Sequence, residues 1–324
     1  MSIQPFALLS ALPCDGFVSG SDLARRLGVT RAAVWKQIEA LRALGAPVEG
    51  AAGSGYRLAW PFEPLDQAAI ARELTADLKR RVENLTVAWQ IDSTNTALLR
   101  DAAAAAPDLS VIVAEIQSDG RGRRGRRWQS PLGGNVYFSL LRRFPSGMAS
   151  LAGLSIVAGI ALVHALHDCG IDRVGLKWPN DVLVDDRKLA GILVELGGEF
   201  LGPCFAVIGI GINVRLPNEI DIDQPYVDIA SLAGDRPPGR NRLIGRLIQR
   251  LAESTDEFVA HGFAAFEQRF AEHDLLAQRR VLVHAAGAVL EGVADGVDAR
   301  GALRVRHGER VAVYDSAEVS VRRT

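Results

Sequence analysis

Val111 to Trp128 reads VIVAEIQSDGRGRRGRRW, an apolar run that changes abruptly into glycine and arginine. Val111 to Gln117 is mostly β-branched or apolar and fits a buried strand, which Ser118, Asp119 and Gly120 end. The fold must therefore bury the strand and still leave its end open. Gly120, Gly122 and Gly125 lift the Cβ restriction on φ, so the backbone there can curl and offer N–H groups to an anion. Arg121, Arg123, Arg124, Arg126 and Arg127 add permanently charged planar forks that match carboxylate and phosphate oxygens. Together these point to a polyanion held by a loop. Most charge runs are solvated faces, however, and an Arg-rich tract alone would as often bind nucleic acid. The frame favours a ligand loop: a strand leads in, and the bulky Trp128 anchors the exit.

The chain's 324 residues suit two or three domains, and 48% hydrophobic with 23% charged residues indicates a folded chain. A net charge of -1 excludes nucleic-acid binding through overall charge, so any such binding is local. Cys14, Cys169 and Cys204 lie far apart without CxxC or Cys/His spacing, which indicates neither a disulfide framework nor zinc. With no basic n-region and cleavage site at the start, a reduced, cytoplasmic location is expected. Leu151 to Leu166 is shorter than the ~20 residues of a membrane span and contains Ser155 and His164. It reads as a core helix, with Gly153, Ala158, Gly159 and Ala161 letting a sheet approach.

Residues 5–17 read as helical, Ser19 to Leu27 as a second short helix and Arg31 to Leu44 as a third, with Gly28 at the turn and Thr30 as cap. This is the helix-turn-helix pattern. Pro47 to Glu49 and Tyr56 to Leu58 form two short strands, a wing. The exposed face of the third helix carries Thr30, Arg31, Ala32, Trp35, Lys36 and Gln37, and the wing carries Arg57, types able to reach phosphates and base edges. Six Lys or Arg against four Asp or Glu make residues 1–62 only mildly basic. A protein-interaction or dimerisation module would share the same periodicity.

Pro61 and Pro64 mark a linker, after which Asp66 caps a helix to about Leu74. Thr86 to Ile91 is strand-like and runs into Asp92-Ser93-Thr94-Asn95, then a helix over Thr96 to Ala106. Capping explains one short polar side chain at such a junction; three in a row suit a polar ligand head. Strands follow over Asn135 to Leu141, Val174 to Trp178, Val182 to Val184, Lys188 to Leu196 and Phe205 to Val214, with a tight turn at Asp185-Asp186. Residues 218–240 look irregular. Arg242 to Phe258 and Phe263 to Phe270 are amphipathic. Val281 to His284, Ala288 to Ala294, Leu303 to His307, Arg310 to Tyr314 and Val319 to Val321 are short strands with turns at Gly287, Asp298 to Gly301 and Gly308, which suggests a small barrel. The class is α+β with a mixed sheet. A dinucleotide-binding GxGxxG is excluded, because the glycines lead to Arg126, Arg127, Trp128 and Pro131 rather than a helix.

GRGRRGRRW at residues 120–128 resembles the signature loop of the biotin protein ligases, and four further blocks agree in order: DSTN from Asp92, KWPND from Lys177, KLAGILVE from Lys188 and GIGINV from Gly209. TRAAVWK from Thr30 resembles the recognition helix of the family's bifunctional ligase and biotin operon repressor members. The resemblance covers nearly the whole chain. It implies a winged helix-turn-helix domain over 1–62, a mixed-sheet catalytic domain over 63–274 and an SH3-like β-barrel over 275–324. It further implies ATP-dependent formation of biotinyl-5'-AMP and transfer of biotin to a lysine of a biotin carboxyl carrier protein. Repression of biotin synthesis genes on operator DNA, by a ligand-dependent homodimer with the adenylate as corepressor, is implied as well.

By the same resemblance, Ser93, Thr94, Asn95 and Gln117 face the biotin head group, with the backbone of Gly120 and Gly122 closing over it. Arg121 and Arg123 hold carboxylate and phosphate, and Lys188 contacts both biotin and the α-phosphate. Lys177, Asn180 and Asp181 lie on the nucleotide side, with Asp181 toward Mg²⁺ and as the candidate base, and Asn213 on the adenine side. Some relatives cover the adenylate with a tryptophan; residues 226–232 have none, and Tyr226 is the candidate substitute. Three alternatives stand beside this reading: a ligand sensor without catalysis, a lipoate or acyl ligase on the same scaffold, and a ligase whose N-terminal module contacts only protein.

Overall fold

The structure, a computed structural model, describes residues 4–217, 220–234, 237–285, 288–315 and 319–323. The turn expected at Gly287 lies outside them, as do four residues of the 218–240 stretch. The chain opens with Pro5–Ala11 (α1), Gly20–Leu27 (α2) and Arg31–Ala43 (α3), then the antiparallel hairpin Val48–Ala51 (β1) and Gly55–Leu58 (β2). Local chemistry sets the boundaries. Ser19 accepts the Asp22 N–H, Thr30 accepts the Ala33 N–H, and Gly28 ends α2 in the left-handed region at φ 65. The first helix stops at Ala11 rather than continuing to residue 17, because Leu12 turns extended ahead of Pro13.

Next come Gln67–Arg72 (α4), Ala76–Arg81 (α5), Leu85–Ile91 (β3), Thr94–Ala103 (α6), Val111–Gln117 (β4), Asn135–Phe144 (β5), Leu154–His167 (α7), Gly175–Lys177 (β6), Asp181–Val184 (β7), Arg187–Gly198 (β8) and Cys204–Asn213 (β9). These strands form one seven-stranded sheet in the order β3-β4-β5-β9-β8-β7-β6. Only β3 and β4 run parallel, so the sheet is mixed as expected. Ile229–Ala233 (α8), Arg240–His261 (α9) and Glu267–His273 (α10) follow. Sequence reading missed α5 and α8; both are short, and α8 forms inside the supposedly irregular stretch because Asp228 caps it.

Alternation along the strands divides the sheet's faces. Val111 and Val113 of β4, Phe138 and Leu140 of β5, and Ile208 and Ile210 of β9 face α7 and α9 in the main core. α7 is buried nearly all round, and no described helix is long and apolar enough to cross a membrane. A Cβ on Gly159 would sit 2.9 Å from Leu176, so the helix approaches the sheet closely there. The other face carries α6, whose Ala97, Leu98 and Ala102 pack on Ile112, Leu141 and Val207. Arg280–Ala285 (β10), Ala288–Val297 (β11), Leu303–His307 (β12), Arg310–Tyr314 (β13) and Val319–Arg323 (β14) make a second, antiparallel sheet in the order β13-β12-β11-β10-β14. Val281, Val283, Ala294, Leu303 and Val305 join it to the main core.

Candidate active site

Strand register places a trough on the α6 face. Tyr137 of β5 stands opposite Gly211 of β9, which stands opposite Gly191 of β8, which stands opposite Asp181 of β7. In the next row Ser139, Gly209 and Leu193 are partners. Glycine where neighbours carry side chains leaves room above the sheet. A Cβ on Gly209 would lie 2.1 Å from Asn95 Oδ1, and one on Gly211 2.5 Å from the Trp128 indole. The trough therefore seats the start of α6 at one end and Trp128 at the other.

Ser93 caps α6 and, with Thr94 and Asn95, is buried. Gln117, at the end of β4, accepts the Thr94 N–H at 2.8 Å through Oε1. Its amide nitrogen lies 3.0 Å from where a Gly120 Cβ would be, aimed at the loop. Asn95 donates to Leu193 O and to Glu195 Oε2, while Ser139 Oγ lies within hydrogen-bonding distance of both Thr94 Oγ1 and Asn95 Oδ1. Asn95 thus fixes the trough's wall through its own amide. Ser139 and Glu195 were not singled out as site residues. A serine among the large apolar residues of β5 is the signal for the first; the partner of Glu195, a hundred residues away, leaves no local trace.

The Arg loop folds back on itself as a small hairpin. Gly122 N–H donates to Arg126 O, Trp128 N–H donates to Gly120 O, and Arg124 and Gly125 turn the chain at φ 58 and 71. This corrects the expected open row of N–H groups at Gly122, whose donor already has a backbone partner. The guanidinium groups are what the loop presents. Arg121 donates to Thr96 Oγ1 at 2.8 Å and lies 3.4 Å from Glu195. Arg123 donates to Asn180 Oδ1 at 3.3 Å. Burial, and then Arg124 beside it, hold the Arg123 guanidinium below its ordinary pKa against the pull of Asp181.

Lys188, the second residue of β8, has Nζ 2.8 Å from Asp181 Oδ1 and 5.5 Å from the Trp128 ring centre. Asn180 donates to Ile192 O, and Lys177 stands opposite Asp181 in the β6–β7 hairpin. Tyr226 is paired beside Lys188, because Lys188 N–H donates to Pro225 O and Val227 N–H to Lys188 O. Asn213 is buried and donates to the carbonyls of Lys188 and Val227, so its amide ties this edge together. The structure brings together Ser93, Thr94, Asn95, Gln117, Gly120, Arg121, Gly122, Arg123, Asn180, Asp181, Lys188 and Asn213 along one trough. Of its cations, Arg121 lies beside Glu195, Lys188 beside Asp181, and Arg123 donates to Asn180. Among the described residues no cluster of three or more His, Cys, Asp or Glu could hold a metal ion. Asp181, the residue expected toward Mg²⁺, is paired with Lys188; a magnesium ion there would have this one carboxylate and would need phosphate oxygens and water for the rest of its shell.

The remaining expected residues lie on the far face of α3 and on the wing. Thr30, Arg31, Ala32, Trp35 and Lys36 are exposed and Gln37 is half-buried, while Arg57 of the wing is tied to Glu49 at 2.7 Å.

Residues 87–213 match the biotin/lipoate A/B protein ligase family, and residues 8–57 match the family described as HTH domain. The bifunctional ligase/repressor BirA of Salmonella typhimurium is 37% identical over 98% of this chain and 97% of its own length. The Escherichia coli protein of the same name is 35% identical over 98% and 97%. The biotin protein ligase of Aquifex aeolicus, solved in complex with biotin and ATP, superposes with a TM-score of 0.65 at 28% identity, covering 75% of this chain and all of its own.

Proposed function

The chain belongs to the family of bifunctional biotin protein ligases and repressors, and from that membership we propose that its trough joins biotin to AMP and passes the biotinyl group to a lysine of a biotin carboxyl carrier protein. The observation that carries the reading is the cation set: Arg121 beside Thr96 and Glu195, Arg123 beside Asn180, and Lys188 beside Asp181 border the stretch of sheet where Gly191, Gly209 and Gly211 let Lys188, Asn95 and Trp128 pack close. In the first half-reaction a biotin carboxylate oxygen bonds to the α-phosphorus of ATP and pyrophosphate leaves. Two anions must approach, so preorganised positive charge is the main stabilisation available. Gln117 and the Ser139–Thr94 pair orient the head group; Arg121 and Arg123 hold the carboxylate and the phosphate. Lys188, kept in place by Asp181, meets both, and Tyr226 beside it covers the adenine. Magnesium, when bound, neutralises charge on the phosphates, with Asp181 as its protein ligand.

In the second half-reaction the acceptor Nζ attacks the mixed anhydride and AMP leaves. An unperturbed lysine has a pKa of ~10.4 and must lose a proton to solvent before it attacks. The enzyme acts in the cytoplasm, and the units divide at 62/63 and 274/275. The winged helix represses biotin synthesis genes as a dimer loaded with biotinyl-5'-AMP, since two mildly basic domains make about twice the phosphate contacts of one.

The test is transfer itself: the purified chain, ATP, magnesium and labelled biotin with a biotin carboxyl carrier domain. Label should appear on its target lysine and vanish when that lysine becomes arginine. No label, or equal incorporation of lipoate, counts against the reading.

A further inference from the structure

Trp35 is the one exposed tryptophan of the chain's five, with 58% of its surface open. Its helix has no need of it: Val34, Ile38 and Leu41 on the other face of α3 are fully buried against Leu8, Leu9 and Leu23. Leaving an indole in water forgoes a large burial term, so its place at the surface calls for a partner outside the domain. Among the described residues Trp35 has no ring or cation partner.

The surroundings narrow that partner. Arg31 and Ala32 lie four and three residues before Trp35, on the same helix face, with Lys36 beside them. The face is thus an apolar strip of Ala32 and Trp35 rimmed by the cations Arg31 and Lys36. Neither cation has an acidic partner among the described residues, and Glu39 on the next turn is bound by Arg42 at 2.8 Å. In the wing, Arg57 is tied to Glu49 and its guanidinium stacks 4.9 Å from the Phe17 ring centre. Few free charges remain to grip phosphates, so base contacts must carry much of the discrimination.

The thymine methyl group is the apolar feature that base edges show in the major groove. A groove with phosphates along its walls and thymine methyls on its floor complements this face. We propose that Trp35 reads thymine: the indole packs on 5-methyl groups in each half-site while Arg31 and Lys36 take the flanking phosphates. This deepens the DNA-binding reading above and rests on it.

The test needs no knowledge of the operator. DNA from upstream of biotin synthesis genes is amplified once with dTTP and once with dUTP, which removes the methyl groups and keeps the base pairing. Binding of the full chain, with biotin, ATP and magnesium present, is followed by fluorescence anisotropy. Each buried methyl contributes about fourfold in affinity, so a dimer touching one per half-site should bind uracil DNA about fifteenfold more weakly. Trp35→Ala should bind the two DNAs alike, and Trp35→Phe should keep part of the difference. Equal wild-type affinity for both DNAs overturns the thymine reading and leaves DNA binding intact. A thymine preference that persists in Trp35→Ala overturns the role of Trp35. Failure to bind either DNA removes the DNA-binding reading itself.

Discussion

Arg123 sits where burial works against its charge, with Asn180 as hydrogen-bond partner and Asp181 as the counter-charge acting on it. An incoming phosphate or carboxylate would relieve that imbalance, through charge-assisted hydrogen bonds of about 1.5–3 kcal/mol. Arg123→Gly should therefore release biotinyl-5'-AMP about tenfold faster or more, and label bystander proteins as the intermediate escapes. Unchanged dissociation of the adenylate in a stopped-flow chase would take Arg123 out of the site. This residue was legible in the sequence because five arginines in one loop need a reason. The trough was less so. Gly191, Gly209 and Gly211 were visible only as letters of a matched block, and their role as a floor depends on register across β8 and β9, which pairs residues some twenty apart. Asn213 shows the opposite case: its position was legible, but its amide holds the backbone at Lys188 and Val227.

Among the elements, β4 holds a second polar surprise beside its loop. Glu115 lies fully buried in that apolar strand, 2.8 Å from Arg240 at the start of α9, and accepts Leu65 N–H from the linker. Arg240 and Asn241 reach back to Glu63 and Pro64, and Asn241 accepts Asp66 N–H. The linker that Pro61 and Pro64 announced is therefore bolted to the sheet, by partners 50 to 178 residues distant that no local pattern reveals. Glu115→Ala should cost about 3–5 kcal/mol in urea unfolding, because Arg240 would be left buried without its carboxylate. Glu115→Gln, which keeps the acceptor for Leu65, should cost less; a loss below about 1 kcal/mol in the alanine variant would contradict the clasp.

The α7–α10 junction sets a pH dependence. His164 and His273 contact edge to face at 6.0 Å, and His167 lies 5.8 Å from His273. Burial first, then neighbouring positive charge (His273, Arg250, His167 and Arg269 for His164; His167 for His273), holds both pKa values below the ordinary 6.5. A base whose folded pKa is depressed takes up protons more readily unfolded, so this contribution is present above pH 6.5 and is lost as pH falls through and below it. Asp274 on the same junction is raised by burial from 3.8 to about 6, which works the other way: its contribution is present below pH 3.8 and lost as pH rises through 6. Asp274→Asn should thus gain more stability at pH 7 than at pH 5, and His273→Asn should flatten the acid loss. Urea midpoints at the two pH values that shift equally for Asp274→Asn would refute the assignment.

At the scale of the whole molecule, three units legible in sequence share cores rather than hang on tethers. Ile116 and Leu132 of the central part belong to the core of the winged helix, where Leu132 N–H donates to Leu44 O at the end of α3. The C-terminal strands enter the main core, and Trp178 donates to Gly301 O at 3.0 Å. In the sequence these units were expected from the Pro61/Pro64 linker and from the run of short strands after Val281; the folded chain adds the contacts that join them. All of this supports one trough whose chemistry is the activation of biotin. The direct measurement is exchange of labelled pyrophosphate into ATP by the full chain, with biotin present or absent. Exchange that requires biotin is predicted; exchange that proceeds equally without biotin, or only with lipoate, would contradict the account.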